Sequence, residues 1–211
     1  MLTTAALLMA LAVTVPASSR RPDPALIRTY MARVKAEPVA WAKRALGFTC
    51  WSKQAQVLNA LGPGGQNYVA VPSCNSAGKT HFVPAIALWF LNCHYPAQVI
   101  LTSASWQNIS RQNWPKFRLI RQNRLACPEI VQTGRFHDSS GNCEWTWDGE
   151  HGIYCVSPDH PEVAGGYHAA GGILWIIDEA SGLDPKLEAA IYGCLASGNG
   201  KVLMIGNPLA P

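Results

Sequence analysis

The residues best suited to chemistry form one run from Ser73 to Thr80, which reads Ser-Cys-Asn-Ser-Ala-Gly-Lys-Thr. The run fits the pattern G-x-x-x-x-G-K-[ST], except that Ser73 replaces the first glycine. Such a loop wraps backbone N–H groups around phosphates, and the N-terminus of the following helix faces the same anion. We expect Gly78 to permit close backbone approach, Lys79 to reach the β- and γ-phosphates of ATP, and Thr80 to bind Mg²⁺. The predicted ATP-binding residues of this loop are Ser73, Asn75, Ser76, Ala77, Gly78, Lys79 and Thr80.

A second motif is the apolar run Ile-Leu-Trp-Ile-Ile, which begins at Ile173 and ends in two adjacent carboxylates, Asp178 and Glu179. A carboxylate is costly to bury without a partner, so two acids at the end of a buried strand are expected to leave the sheet and bind a ligand. Beside a P-loop, Asp178 is predicted to hold the Mg²⁺ and Glu179 to orient or deprotonate the attacking water. The alternative is a solvated strand end. The P-loop earlier in the chain favours catalysis, with Glu179 and Lys79 as catalytic residues and Mg²⁺ as cofactor.

Two weaker motifs accompany these. The apolar run that ends at Ile205 is followed by Gly206, Asn207 and Pro208, and Asn207 could sense the γ-phosphate or its water. An ordinary turn is the alternative, because these residue types are common in turns. Gln54, in Trp-Ser-Lys-Gln, could offer its amide donor and acceptor to an adenine edge. The alternative there is the start of an amphipathic helix.

The hydrophobic pattern indicates which elements carry these motifs. Strands are predicted over residues 67–72, 98–103, 172–177 and 201–205, with a hairpin formed by 144–147 and 152–156. Helices are predicted over 24–46 with a possible break at Pro38, and over 51–61, 78–91, 106–121 and 184–195. Apolar strands separated by helices predict a mainly parallel sheet covered on both faces, an α/β/α sandwich. Its ligand site lies beyond the carboxyl ends of the strands, where the strand-linked motifs fall.

The composition excludes disordered and coiled-coil chains, because 48% of the 211 residues are hydrophobic and only 14% are charged. The net charge of +4 does not by itself indicate nucleic acid. Five basic residues nonetheless cluster, and they are candidates for DNA contact, although a solvated helix face is the alternative. They are Arg111, Lys116, Arg118, Arg121 and Arg124, and the region 135–137 is a further candidate.

The seven cysteines include no C-x-x-C pair, so they are predicted to be reduced and mostly buried. His151, Cys155, His160 and His168 have none of the usual zinc spacings, and no zinc site is predicted.

Residues 1–23 are predicted to be an N-terminal extension, and residues 24–211 to be one domain. The apolar stretch near the start is too short to span a bilayer. It is either a weak signal peptide or a first helix or misassigned start. We favour the second interpretation, which predicts a protein that is neither secreted nor membrane-bound.

The order of these motifs resembles that of large terminase subunits, the motors that package DNA into the capsids of tailed phages. The similarity includes the lead-in that begins at Trp41, the Thr-Ser-Ala-Ser segment before Trp106, and Gly-Tyr-His before the acid strand. It implies an ASCE/RecA-like P-loop NTPase fold, in which Gln54 contacts adenine. It also implies that the triplet 206–208 couples hydrolysis to movement on DNA. The implied partners are double-stranded DNA, a small terminase subunit, a portal protein and further copies in a ring, within the host cytoplasm.

Two departures from the resemblance are informative. Many terminases have an arginine at the start of the P-loop, where this chain has Pro72 and Ser73, so Arg111, Arg118 or a neighbouring subunit would have to serve. Complete large terminases also carry a C-terminal nuclease, which we expect to be absent from this chain. A helicase-like nucleic-acid-dependent ATPase and a non-catalytic, nucleotide-dependent assembly module remain alternatives.

Overall fold

The structure is a computed structural model that describes residues 24–74, 78–122, 134–139, 141–148, 150–195 and 198–208. The predicted site residues Asn75, Ser76, Ala77 and Arg124 lie outside the described residues, as does the predicted extension 1–23.

Helices and strands alternate along most of the described chain. The helices are α1 (Pro24–Ala36), α2 (Pro38–Leu46), α3 (Ser52–Leu61), α4 (Lys79–Cys93), α5 (Trp106–Asn108), α6 (Trp114–Gln122) and α7 (Pro185–Cys194). A π-helical turn (Ile109–Asn113) joins α5 to α6, and 3₁₀ helices cover Pro161–Gly166 and Ala180–Gly182. The strands are β1 (Tyr68–Pro72), β2 (Gln98–Ser103), β3 (Arg135–Ser139), β4 (Asn142–Asp148), β5 (His151–Cys155), β6 (Ile173–Asp178) and β7 (Gly200–Gly206).

The strands form one sheet in the order β1-β7-β6-β2-β5-β4-β3. The first five are parallel, while β4 and β3 add an antiparallel edge. The two strands that end in predicted chemistry, β1 and β6, are separated by β7 alone. The P-loop strand, the acid strand and the strand before Asn207 are therefore neighbours, and their carboxyl ends meet at one edge.

The alternation of side chains along β6 divides the core into two layers. Leu174 and Ile176 pack against the cluster that α1, α2, α3, α4 and α6 build on one face. Ile173, Trp175 and Ile177 pack on the other face, against α7 and the first 3₁₀ helix. Every residue of β6 is buried, as a strand covered on both faces requires. The predicted three-layer sandwich with a mainly parallel sheet is confirmed.

The possible break at Pro38 is confirmed, because Pro38 starts a second helix within residues 24–46. The elements differ from the prediction in two places. The predicted helix 106–121 is interrupted by the π-helical turn. Strand β3 was not predicted, since its sequence Arg-Phe-His-Asp-Ser lacks an apolar run.

Cysteines and metal ligands can be compared with the prediction only where the structure describes them. Cys93 and Cys143 are buried, Cys50 and Cys155 are half-buried, and Cys74 is exposed, so the expectation of mostly buried thiols was only partly right. All five are free thiols. Among the described residues no three His, Cys, Asp or Glu side chains group as metal ligands. The part of the chain that the structure describes also contains no helix long and apolar enough to cross a membrane.

Candidate active site

The P-loop lysine lies at the start of α4, directly after a left-handed turn. Gly78 has φ 77° and ψ 18°, a conformation that costs a glycine little. The Lys79 ammonium donates to the carbonyl of Ser73 at 3.2 Å and to Asn207 Oδ1 at 3.0 Å. The first contact closes the loop on itself, and the second joins it to the end of β7. The cation is therefore held by two neutral oxygens at the place where a phosphate is predicted to bind.

Asp178 ends β6 and is 4% exposed. Its Oδ1 accepts from the backbone N–H of Glu179 at 3.1 Å, and its Oδ2 accepts from Asn113 Nδ2, also at 3.1 Å. An ionised carboxylate has about four lone-pair sites. Two are used by these donors, so the carboxylate keeps capacity for a metal ion or a metal-bound water.

Glu179 follows in a left-handed conformation with φ 55° and ψ 43°, and it is the one non-glycine residue with positive φ among the described residues. Such a backbone is strained for a residue with a Cβ, and this kind of strain is concentrated at functional sites. Asn108 Nδ2 donates to Glu179 Oε2, and Gln112 Nε2 donates to Asn108 Oδ1 at 3.2 Å. Glu179 is thus turned out of the strand direction and held by an amide chain that the sequence did not reveal.

A cavity of about 290 Å³ lies between the P-loop helix and the acid strand. The side chains that line it belong to Lys79, Thr80, His81, Gln112, Asp178 and Glu179. The cavity combines one ammonium, one hydroxyl, one imidazole, one amide and two carboxylates. Carboxylate and hydroxyl oxygens are the hard ligands that Mg²⁺ prefers. The donor set therefore fits a magnesium ion held by Thr80 and Asp178, beside the phosphates of a nucleotide.

A second cleft, of about 450 Å³, continues from Lys79 along α3 and β1. Trp51 and Gln54 line it together with apolar side chains that include Val57. Gln54 is buried, and its Oε1 accepts from the backbone N–H of Trp51 at 3.3 Å. Its Nε2 lies close to the P-loop, because a Cβ added to Gly78 would be 3.4 Å from this nitrogen. The structure therefore shows Gln54 capping α3 and touching the P-loop, and its predicted contact with adenine stays a prediction.

Comparison with known proteins shows which proteins this chain resembles. No protein-family model matches the chain. The chain is 26% identical over 191 residues to the probable large terminase subunit of Enterobacteria phage P7. This alignment covers 87% of the chain and 37% of that protein. The chain resembles large terminase subunits.

Solved structures support the same resemblance at the level of the fold. The large terminase ATPase domain of Thermus phage P74-26 matches with a TM-score of 0.52 and 14% identity, over 80% of this chain and 69% of that one. The large terminase of another thermophilic bacteriophage matches with a TM-score of 0.57 and 14% identity, over 74% of this chain and 39% of that one. A further structure of this second terminase, with a TM-score of 0.54, is a complex with ATP-γ-S. The predicted P-loop fold is confirmed, and the chain spans less than two-fifths of the length of the phage P7 protein and of the second terminase.

In the terminase-like site, the triplet 206–208 joins the other two motifs. The carbonyl of Gly206 accepts from the backbone N–H of Ser73 at 2.9 Å. A Cβ on Gly206 would lie 3.1 Å from the backbone nitrogens of both Ala180 and Ser181. A side chain at this position would require the neighbouring backbone to move by a few tenths of an ångström. The end of β7 thus touches the start of the P-loop on one side and the turn after Glu179 on the other.

The basic residues predicted to contact DNA have mixed surroundings. Arg118 forms an ion pair with Asp138, and the Arg121 guanidinium lies over the ring of Phe136 at 5.1 Å. Both contacts fix α6 against β3, so these two side chains have a packing role in addition to any role in binding. Arg111 is exposed and Lys116 is half-buried. In the region 135–137, Arg135 is exposed and His137 lies 3.8 Å from Glu144.

Proposed function

We propose that this chain is the ATP-hydrolysing motor domain of a large terminase subunit, which drives double-stranded DNA into a procapsid. The observation that carries the proposal is that three strand ends meet at Lys79, which shares a cavity with the acid pair and donates to Asn207. Lys79 comes from the P-loop after β1, the acid pair comes from β6, and Asn207 comes from β7 between them. An ammonium opposite two acids is the arrangement that binding and hydrolysis of a nucleoside triphosphate require.

The chemistry assigns a separate role to each side chain. Lys79 exchanges its neutral partners for phosphate oxygens, which it binds more strongly because they are charged. Thr80 and Asp178 would hold Mg²⁺, which neutralises charge on the phosphates when it is bound. Glu179 lines the same cavity, where it accepts the proton of the attacking water or orients that water. The Asn108 amide keeps this carboxylate pointed toward the cavity.

The arginine that stabilises the transition state is not at the start of this P-loop. Arg118 is engaged with Asp138, which makes it a poor choice for a residue that must reach the phosphates. Arg111 is exposed and adjacent to Gln112, whose side chain lines the cavity. We therefore assign this role to Arg111 or to an arginine of a neighbouring subunit in a ring.

The test is hydrolysis and binding in two variants of the proposed machinery. Lys79→Ala should abolish ATP hydrolysis because phosphate binding loses its cation. Glu179→Gln keeps the shape of the side chain but cannot accept a proton, so hydrolysis should fall on the order of 10²- to 10⁴-fold while ATP binding is retained. Glu162→Gln, an exposed substitution of the same kind, is the matched control and should be fully active. Robust turnover by clean Glu179→Gln protein would overturn the role of this acid.

The uneven distribution of basic residues along the chain supports DNA as the partner. Residues 24–61, which contain α1, α2 and α3, carry six basic residues and one acidic residue. Their net charge of +5 exceeds the +4 of the whole chain, so the remaining residues together are almost neutral. Glu37 lies within 4 Å of both Arg33 and Arg44, and Arg28 and Lys43 are exposed. Such a layer suits a phosphate backbone, which a motor must follow irrespective of sequence.

The DNA contact can be tested by charge reversal. The variant Arg28→Glu/Lys43→Glu should bind double-stranded DNA more weakly and with a shallower dependence on salt, because about one unit of slope is lost for each phosphate contact removed. The control is Lys186→Glu, an exposed reversal on α7 at the other face of the sheet. The double reversal changes twice as much charge as the control, so a loss about twice that of the control would show that net charge alone matters. Salt-insensitive binding by the parent protein would contradict a phosphate-tracking mode.

A further inference from the structure

The segment between β2 and α6 contains a π-helical turn, and asparagines at the two ends of this turn contact the acid pair. The turn closes through the backbone N–H of Trp114, which donates to the carbonyl of Ile109, five residues earlier in the chain. Asn108 and Asn113 have the same spacing, and Asn113 Nδ2 lies 3.5 Å from the carbonyl of Asn108. A π-turn therefore places two amides one turn apart, where a regular helix would rotate them away from each other. Single π-turns of this kind occur frequently at functional sites.

Asn113 is fully buried, and its surroundings do not favour an amide. Ile109, Trp114 and Phe117 are also fully buried and belong to the same apolar cluster. Burying an amide among apolar side chains costs free energy unless hydrogen bonds compensate for it. The amide Nδ2 donates to Asp178 at 3.1 Å, while Oδ1 has no hydrogen-bond partner among the described residues. The folded state thus accepts a half-satisfied amide at this position, which an apolar residue would fill at lower cost.

We propose that Asn113 is a positioning residue that fixes the carboxylate of Asp178 for the binding of magnesium with the nucleotide. The inference rests on the proposed function, and it adds a residue that acts through Asp178 rather than on the substrate. The amide holds Oδ2 from the core side, while the backbone N–H of Glu179 holds Oδ1. Two fixed donors determine the plane of the carboxylate, and its remaining lone pairs are left for the cavity that Thr80 also lines.

The neutral character of Asn113 is part of the inference. An arginine or lysine at this position would orient Asp178 equally well, but its charge would cancel the carboxylate charge that attracts a divalent cation. A leucine would leave the buried carboxylate oxygen without its donor. An amide is the neutral donor of suitable length, so it orients the metal ligand without neutralising it. Outer-shell hydrogen bonds of this kind typically change metal affinity by about 10- to 100-fold.

The inference is tested by measuring how much Mg²⁺ strengthens nucleotide binding. The affinity for ATP-γ-S is measured by calorimetry in Mg²⁺ and in EDTA, for the parent chain, Asn113→Leu and Asn113→Ser. The leucine variant removes the donor at nearly constant size, and the serine variant is too short to reach Asp178. The matched control is Asn92→Leu, which removes an amide of α4 that donates to the carbonyl of Leu88.

We expect both Asn113 variants to keep the EDTA affinity of the parent and to lose about tenfold of the strengthening by Mg²⁺. The control should keep all of that strengthening. Full strengthening in both Asn113 variants would overturn the inference. Equal losses with and without metal, or failure of both variants to fold while Asn92→Leu folds, would also overturn it by assigning Asn113 to the architecture. A parent chain that binds no ATP-γ-S under either condition would instead refute the proposed function itself.

Discussion

The contact between Lys79 and Asn207 predicts that one substitution will tighten the binding of ADP. The Lys79 ammonium has three donors, and the structure pairs two of them with the Ser73 carbonyl and with Asn207 Oδ1. One donor is left over, so a β-phosphate that accepts from two of the three donors must replace at least one of these partners. Asn207 therefore competes with the nucleotide for the lysine, and Asn207→Ala removes the competitor.

The size of the effect follows from the strength of this hydrogen bond. Hydrogen bonds to charged groups contribute about 1.5–3 kcal/mol net. Asn207 is half-buried, and water can replace part of its contact with Lys79. Removing the amide should therefore make the binding free energy of ADP more favourable by about 1 kcal/mol. Since about 1.4 kcal/mol is a factor of ten, ADP should bind about fivefold more tightly to the variant. ATP hydrolysis should fall at the same time, because the amide proposed to contact the γ-phosphate or its water is gone.

The assay is displacement of a fluorescent ADP analogue, combined with phosphate release under saturating ATP. The matched control is Asn199→Ala, which removes an exposed amide just before β7, at the opposite end of the sheet. The control should change neither the affinity for ADP nor turnover. Unchanged or weaker ADP binding by folded Asn207→Ala protein would refute the idea that Asn207 competes for Lys79.

Two further predictions concern backbone contact and pH. Gly206→Ala should keep the fold but lower ATP hydrolysis about tenfold or more. The reason is that the new Cβ would lie 3.1 Å from the backbone nitrogen of Ala180 and would displace the acid turn. Phosphate release at the parental rate would contradict this prediction. Burial, with a smaller contribution from Lys35, lowers the pKa of His94 from 6.5 to about 4, so the unfolded chain binds more protons than the folded chain between these pH values. Stability is therefore lost as the pH falls through this window, and His94→Phe, which preserves stacking on Phe90, should make the melting temperature fall less between about pH 7 and pH 4.5. An unchanged slope of melting temperature against pH would exclude His94 as its source.

Much of the fold could be predicted because its central strands are apolar throughout. Residues 98–103 and 172–177 were predicted as strands, and the structure has them at Gln98–Ser103 and Ile173–Asp178. The motifs at their ends followed from the same logic, since a polar residue at the end of a buried strand must leave the sheet. The resemblance to large terminases added the fold class, which the comparisons confirmed.

The remaining features depend on tertiary structure. Strand β3 has a single apolar residue, Phe136, and pairs only with β4, so neither its hydrophobicity nor its alternation distinguishes it from a loop. Asn108, Gln112 and Asn113 look like the polar face of a solvated helix in the sequence. Their role becomes visible only when the π-turn and the acid strand are placed together. The order of the strands is likewise absent from the hydrophobic pattern, although it decides which motifs meet.

The strand order also explains why the weakest motif in the sequence occupies the central place in the site. Because β7 lies between β1 and β6, its end contacts both halves of the site at once. The Gly206 carbonyl holds the start of the P-loop at Ser73, its α-carbon packs on the turn after Glu179, and Asn207 holds Lys79. We propose that a phosphate that takes Lys79 from Asn207 removes one of the contacts that hold this strand end, against which the acid turn packs. Loss of the γ-phosphate would change the partners of Lys79 again, so the same strand end would respond to both binding and hydrolysis.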